Sequence, residues 1–197
     1  MILNKFPAKI EKEIIANLPV VKTDCEIVIV DAEKKIDLAV KELYLSDYVG
    51  FDTETKPSFT RGKINKVALL QLSTDKKCFL FQLHKIGKSA AIKEFMESDK
   101  NLKIGLSIRD DFRMLNKWQP MQPQNFVDLQ NFVKDFDIEE LGLQKIFAII
   151  FNQKISKSEQ LSNWENSTLT RAQQLYAATD AWACREIYLQ LLKVNAQ

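Results

Sequence analysis

Two near-continuous apolar runs constrain this chain more than any other feature: residues 67–73 (VALLQLS) and 78–83 (CFLFQL), joined only by Thr74-Asp75-Lys76-Lys77. A strand with one wet face alternates apolar and polar side chains, and these runs do not alternate. Four polar residues between them make an antiparallel hairpin, buried on both faces. Such a hairpin has to lie inside a sheet that is covered by helices on both sides. The rest of the chain supplies the parts. Strands are predicted at 26–30 (EIVIV), 48–54 (YVGFDTE), 102–106 and 126–127. A first helix is predicted after Pro7, with Ile10, Ile14 and Leu18 on one face. A second is capped by Asp31 and carries the stripe Ile36, Ala39, Val40 and Leu43. Further helices fall at 90–96, through Phe112 and Leu115, at 141–151, and from about 170 to 194. The last opens with the capping box Thr170-Arg171-Ala172-Gln173. The expected fold class is α/β, a mixed sheet with helices on both faces.

At 197 residues the chain fits one domain on the prior of roughly 150 residues per domain. We divide it into an N-terminal helical extension (1–24) and a single domain (25–197). No stretch reaches the ~18 consecutive apolar residues of a membrane-spanning helix, and residues 1–10 hold no apolar signal-peptide core. A cytoplasmic location is the expectation. Cys25, Cys78 and Cys184 are odd in number, far apart and without a CxxC pair. That excludes a disulfide framework or a cysteine zinc site, and it suits a reducing compartment, with the thiols as small core residues. His84 is the only histidine, so a His-rich metal site is excluded and a Ser-His-Asp apparatus would rest on this one residue. The five glycines form neither GxGxxG nor GxxxxGK[ST], which removes the common phosphate loops.

The net charge of +2 speaks against a nucleic-acid partner until it is divided along the chain. Residues 1–55 carry 7 basic and 11 acidic groups, residues 56–117 carry 14 and 6, and residues 118–197 carry 7 and 9. A basic central third is thus masked by acidic flanks. Its plain reading is solvated lysines on helices and turns. It nevertheless begins directly after a carboxylate-rich strand.

Carboxylates stand at three places where a fold alone does not want them. Alternation in Gly50-Phe51-Asp52-Thr53-Glu54 puts Asp52 and Glu54 on one face, roughly 7 Å apart. On the last helix Asp180 shares a stripe with Tyr176, Ala183 and Ile187, in a segment otherwise built for burial. Asp110-Asp111 opens the helix after the strand at 102–106. Each has an ordinary reading alone: an exposed strand edge, a helix cap, or a salt bridge from Asp180 to Arg185 or Lys145. Together they are oxygen ligands from three elements plus a tyrosine. Mg²⁺ and Mn²⁺ take carboxylate oxygens and need neither His nor Cys. Two such ions about 3.5–4 Å apart are the recurring device for phosphodiester hydrolysis.

In order along the chain, Phe51-Asp52-Thr53-Glu54, the segment Ile104-Gly105-Leu106-Ser107-Ile108-Arg109-Asp110-Asp111-Phe112-Arg113-Met114-Leu115, and Tyr176-Ala177-Ala178-Thr179-Asp180-Ala181 resemble the three motifs of the DEDD superfamily of 3′–5′ exonucleases, tyrosine subtype. Leu161-Ser162-Asn163-Trp164-Glu165 is also typical of it. Arg61-Gly62-Lys63, followed by Lys66-Val67-Ala68-Leu69-Leu70-Gln71-Leu72, is most similar to the Werner-syndrome-type exonuclease domain. The ribonuclease D domain comes second. The likeness covers about residues 25–192. It implies a ribonuclease H-like fold, two divalent ions (Mg²⁺ or Mn²⁺), and catalytic residues Asp52, Glu54, Asp111, Tyr176 and Asp180. Asp52 would bridge both ions, Glu54 and Asp180 complete one site, Asp111 hold the other, and Tyr176 orient the attacking water. Leu175, five residues before Asp180, excludes the histidine subtype. Ser107 departs from the family, many of whose members carry Asn four residues before the second-motif Asp. The doubled acid leaves Asp110 as a rival to Asp111; the D-x-x-x-L spacing to Leu115 favours Asp111.

The function expected from this likeness is removal of 5′-mononucleotides from the 3′ end of nucleic acid, DNA in preference to RNA. Ribonuclease D-like RNA processing is the alternative, and a binding module without chemistry is another. Arg61, Lys63 and Lys66 would form the phosphate track, with Arg109 and Arg113 as further contacts. Phe59 or Trp118 would stack on bases or pack in the core. The partner is nucleic acid with a free 3′ end, with a helicase or another protein to open duplexes and no membrane.

Overall fold

The apolar hairpin lies at the heart of the sheet. A computed structural model describes residues 6–58 and 65–195. In chain order the elements are α1 (Lys12–Asn17), β1 (Glu26–Val30), α2 (Ile36–Leu43), β2 (Tyr48–Thr55), β3 (Val67–Ser73), β4 (Lys77–Gln82), α3 (Leu83–Ile86) and α4 (Ala90–Glu97). There follow β5 (Leu102–Gly105), α5 (Ile108–Trp118), β6 (Phe126–Asp128), α6 (Leu129–Phe132), α7 (Leu143–Phe151) and α8 (Arg171–Asn195). The six strands form one mixed sheet in the order β1-β4-β3-β2-β5-β6. β3 runs antiparallel to both of its neighbours, β2 and β4, and β1, β5 and β6 add parallel pairs at the two sides. Every residue of β3 is buried, as a strand covered on both faces must be.

Alternation divides the side chains between two layers. Phe51, Leu70, Leu72, Phe79 and Phe81 face the side covered by α2, α4 and α5. Leu69, Cys78 and Leu80 face Ala177, Ala178 and Ala181 of α8. Small residues let α8 press onto the sheet: a Cβ on Gly50 would stand 1.9 Å from the carbonyl oxygen of Ala181. The expected capping box fixes the start of this helix. Thr170 N–H donates to the Gln173 side chain (3.0 Å) and Gln173 N–H donates to the Thr170 hydroxyl (3.2 Å).

Four sequence expectations are corrected. α1 is six residues long and buries only Ile15; Ile14 is exposed, and Ile10 lies ahead of the helix. A single turn and a half has too few residues for a spacing pattern to select its buried face. Asp31 does not cap α2. A 3₁₀ turn, Glu33–Lys35, intervenes, and Asp31 instead accepts from Lys35 (2.7 Å). Lys103 belongs to the basic third by sequence yet is fully buried. Its Nζ donates to the carbonyls of Ser98 (2.6 Å) and Phe95 (3.3 Å) at the end of α4, between the rings of Phe95 and Phe126. Finally, Cys78 and Cys184 are buried but Cys25 is half-exposed. Among the described residues no helix is long and apolar enough to cross a membrane.

Candidate active site

β2 runs past its parallel neighbour β5: pairing with β5 involves only Tyr48, Val49 and Gly50. Its second half, Phe51–Thr55 by position, therefore projects over the sheet's carboxyl edge, where open α/β sheets place their ligand crevices. A register shift between Glu54 and Thr55 bends the strand there. Asp52 and Glu54 point to the α8 side, and α8 brings Asp180 against them. One carboxylate oxygen from each of Asp52, Glu54 and Asp180 lies within 4.8 Å of the others. None of the three has a cation in salt-bridge contact among the described residues. Arg185 and Lys145 pair instead with Glu186 and Glu140, so the ordinary salt-bridge reading of Asp180 does not hold.

Burial raises the protonation of all three acids, and the charges of neighbouring carboxylates add to it for Asp52 and Glu54. Burial, then the charges of Asp180, Asp111 and Glu54, holds the Asp52 carboxyl well above the usual range. Burial, with Asp180 and Asp111, pushes Glu54 up to about 8. Burial also raises Asp180, against the opposing hydrogen bond from Tyr176 and the charge of Lys157. Tyr176 is held above its ordinary value by burial and by the neighbouring acids, so its hydroxyl keeps its proton and acts as a donor. Its ring lies 5.9 Å from that of the fully buried Trp164.

Asp111, in the first turn of α5, is not part of the three-acid cluster. It accepts a hydrogen bond from the Thr53 hydroxyl. Burial raises it to about 6, with the Thr53 bond opposing. Thr53, between the two acids of β2, is a site neighbour that sequence reasoning passed over. The alternation that sets Asp52 and Glu54 on one face sets it on the other, toward α5, and was the available signal. Asp110 is exposed and pairs with Arg113 (3.2 Å). Ser107, just before α5, has left-handed backbone (φ 59°), a conformation that Asn tolerates better than Ser. Its N–H donates to Asp128 (2.9 Å).

The carboxylates line a cleft of about 830 Å³ whose walls include Tyr176, Lys12, Lys154 and Lys157. Of the expected phosphate contacts, Lys66 and Arg109 are exposed and Arg113 is engaged by Asp110. Arg61, Lys63 and Phe59 lie outside the described residues. Trp118 packs, half-buried, against the core, and Trp182 packs against Phe147. His84 is exposed, with Nδ1 3.4 Å from the Ala68 carbonyl.

The donor set suits a hard cation. Carboxylate oxygens converge without a basic partner in contact, and a divalent ion would offset the burial and repulsion that favour their protonated forms. Gln71, opposite Asp52 in the β2–β3 ladder, is fully buried, and its amide has no partner among the described residues. It is a polar group free to orient one of these ligands.

A six-stranded mixed sheet with acids at the projecting end of a central strand defines a class, and residues 27–195 match the 3′–5′ exonuclease family. The chain belongs to that family. It is 32% identical over 157 residues to the bifunctional 3′–5′ exonuclease/ATP-dependent helicase WRN of Mus musculus, a match covering 74% of this chain and 11% of that protein. The fold superimposes on the Aedes aegypti Nibbler EXO domain with a TM-score of 0.80 at 25% identity, covering 90% of this chain and 94% of that one. Escherichia coli RNase D, described as an exoribonuclease involved in structured RNA processing, gives 0.76 at 19% identity, covering 87% and 46%. The expected ribonuclease H-like fold is the one found.

Proposed function

We propose that the chain hydrolyses phosphodiester bonds from the 3′ end of nucleic acid, releasing 5′-mononucleotides. The observation that carries this is the convergence of Asp52, Glu54 and Asp180 within 4.8 Å, with Tyr176 one helical turn from Asp180, all lining a cleft of about 830 Å³. Asp52, Glu54 and Asp180 would hold one divalent ion, with Asp52 shared toward a second on the Asp111 side; Mg²⁺ and Mn²⁺ fit the oxygen donors. Bound there, such ions would activate the attacking water and stabilise charge on the phosphate and the leaving 3′ oxygen. The chain's own residues orient and exclude. Tyr176, one helical turn from Asp180, donates from its hydroxyl and positions the water for in-line attack. Thr53 holds Asp111 in place. Trp164 backs the tyrosine ring and fixes its direction.

DNA is the favoured substrate, on the likeness to the WRN protein and the Arg61-Gly62-Lys63 segment. RNA is the second reading, on the structural likeness to RNase D. Arg61, Lys63, Lys66, Arg109 and Arg113 are the proposed phosphate contacts from the basic third. We further infer a cytoplasmic enzyme, with residues 25–197 as the catalytic domain. It would work on exposed single-stranded ends or beside a helicase, an activity that the WRN protein's name joins to its own exonuclease. The test is parallel digestion of recessed duplex DNA, single-stranded DNA and structured RNA by the wild type and Asp52→Ala. Metal-dependent trimming from the 3′ end that disappears in the variant is the expected result. Trimming that survives in Asp52→Ala contradicts the assignment.

A further inference from the structure

The family match begins at residue 27, yet the chain ahead of it is built into the cleft. Residues 8–21 are bonded along the segments that flank α7. Glu139 N–H donates to the Ala8 carbonyl (2.9 Å), Lys154 N–H to Pro19 (2.9 Å), and Val21 N–H to Lys154 (2.9 Å). Ile10 N–H donates to Glu140 Oε1 (3.3 Å). Val20 and Lys154 form an isolated parallel bridge, and Ile15 is buried. These bonds make α1 one wall of the cleft that holds Asp52, Glu54 and Asp180.

Four lysines line that cleft: Lys12, Lys145, Lys154 and Lys157. Two are engaged. Lys145 pairs with Glu140 at 2.9 Å, and the Lys154 ammonium donates to the Ala16 carbonyl. Lys12 and Lys157 are exposed and have no acidic partner in salt-bridge contact among the described residues. They come from segments far apart in sequence, and main-chain bonds clamp those segments together at the same mouth. A carboxylate floor repels a polyanion, so a strand end enters only where cations offset that repulsion. Exposed lysines without acidic partners are common on protein surfaces. These two stand on the walls of the cleft that holds the acids, Lys12 on a wall made from residues ahead of the family match and Lys157 within it.

We propose that the N-terminal segment is a wall of the nucleic-acid track, with Lys12 and Lys157 meeting backbone phosphates of the single strand whose 3′ end lies at the carboxylates. This rests on the exonuclease reading above and adds to it a track on the α1–α7 side, apart from the basic third read from the sequence.

The test measures binding of a short 5′-labelled oligodeoxythymidylate by fluorescence anisotropy across a salt series, on an Asp180→Asn background that holds the strand uncut. Lys12→Gln and Lys157→Gln are each added to that background, with Lys41→Gln on the exposed face of α2 as control. Wild-type trimming of the same strand is followed in parallel. Each cleft variant is expected to weaken binding about fivefold at roughly 0.1 M salt, and to make the slope of log K against log salt shallower by about 0.7. The control changes neither. Weaker binding with an unchanged slope overturns the proposal, because a merely structural role does not alter counterion release. Unchanged binding overturns it too, and if the wild type still trims the strand, the exonuclease reading stands without the wall. A wild type that neither binds nor trims overturns both. Both side chains are exposed, so the variants should fold, and matching thermal melts check that they do.

Discussion

Replacing Glu54 with Gln should flatten the pH dependence of stability in the metal-free protein. In the fold Glu54 titrates at about 8, against an ordinary 4.5. Below about pH 4.5 it is protonated in both folded and unfolded chains, and its raised value costs nothing. Above that, the folded chain keeps a proton that the unfolded chain has lost. Stability therefore falls with rising pH until the folded group ionises near 8. One such group gives about 1.4 kcal/mol per pH unit. Across pH 6 to 8 that is roughly 2.7 kcal/mol, and about half of it once solvent reaching the half-buried carboxyl is allowed for. The window is chosen to isolate the cluster. Asp111, at about 6, acts mainly below it. Lys103, lowered to about 8 by burial, is a base depressed below its ordinary 10.5 and adds stability only as pH rises above 8. Asp52 and Asp180 act in the same direction as Glu54. The assay is the urea midpoint in chelator at several pH values, with a constant m-value as the check for two-state unfolding. The expected result is a falling wild-type curve, a Glu54→Gln curve shallower by about 0.7–1.4 kcal/mol per pH unit, and a gain from added Mg²⁺ that grows with pH. Parallel wild-type and Glu54→Gln curves would refute the claim that burial and the neighbouring acids hold Glu54 protonated in the free protein.

Three other outcomes are expected. Tyr176→Phe should lower kcat by roughly 10²-fold or somewhat less, with little change in KM, because it removes a positioned donor and leaves the carboxylates in place; steady-state kinetics on a labelled strand decide this. Gly50→Ala should cost several kcal/mol, since the new Cβ meets the Ala181 carbonyl at 1.9 Å; a thermal melt unchanged from wild type would show that α8 does not press on β2 as described. Ser107→Asn should stabilise by about 0.5–1 kcal/mol by relieving the left-handed backbone at φ 59°, seen as a higher denaturation midpoint with the salt slope of binding unchanged.

The hairpin at 67–83, the acids of β2 and the α8 box were legible because each is a local pattern with one physical reading. Alternation sets Asp52 and Glu54 on one face, and a Thr-x-x-Gln pair fixes a helix start. What could not be read locally depended on the neighbour across the sheet. Lys103 looks like a solvated lysine until its register with Val49 turns it toward α4, where the helix's last carbonyls receive it. Asp111 could be assigned only by spacing, and its contact with Thr53 depends on how α5 crosses the end of β2. Lys12 gave no signal at all. Its importance comes from the main-chain bonds that dock residues 8–21 beside Lys154, and no periodicity in a six-residue helix announces those.

The most direct measurement is metal-dependent release of 5′-mononucleotide from a 3′-labelled strand by the wild type and by Asp180→Asn, with Mn²⁺ binding to each counted by equilibrium dialysis. The wild type should release the terminal nucleotide only with Mg²⁺ or Mn²⁺ present. Asp180→Asn should lose Mn²⁺ binding and at least about a hundredfold in rate together. Undiminished release by a variant that no longer binds the metal would contradict metal-dependent cleavage at these carboxylates.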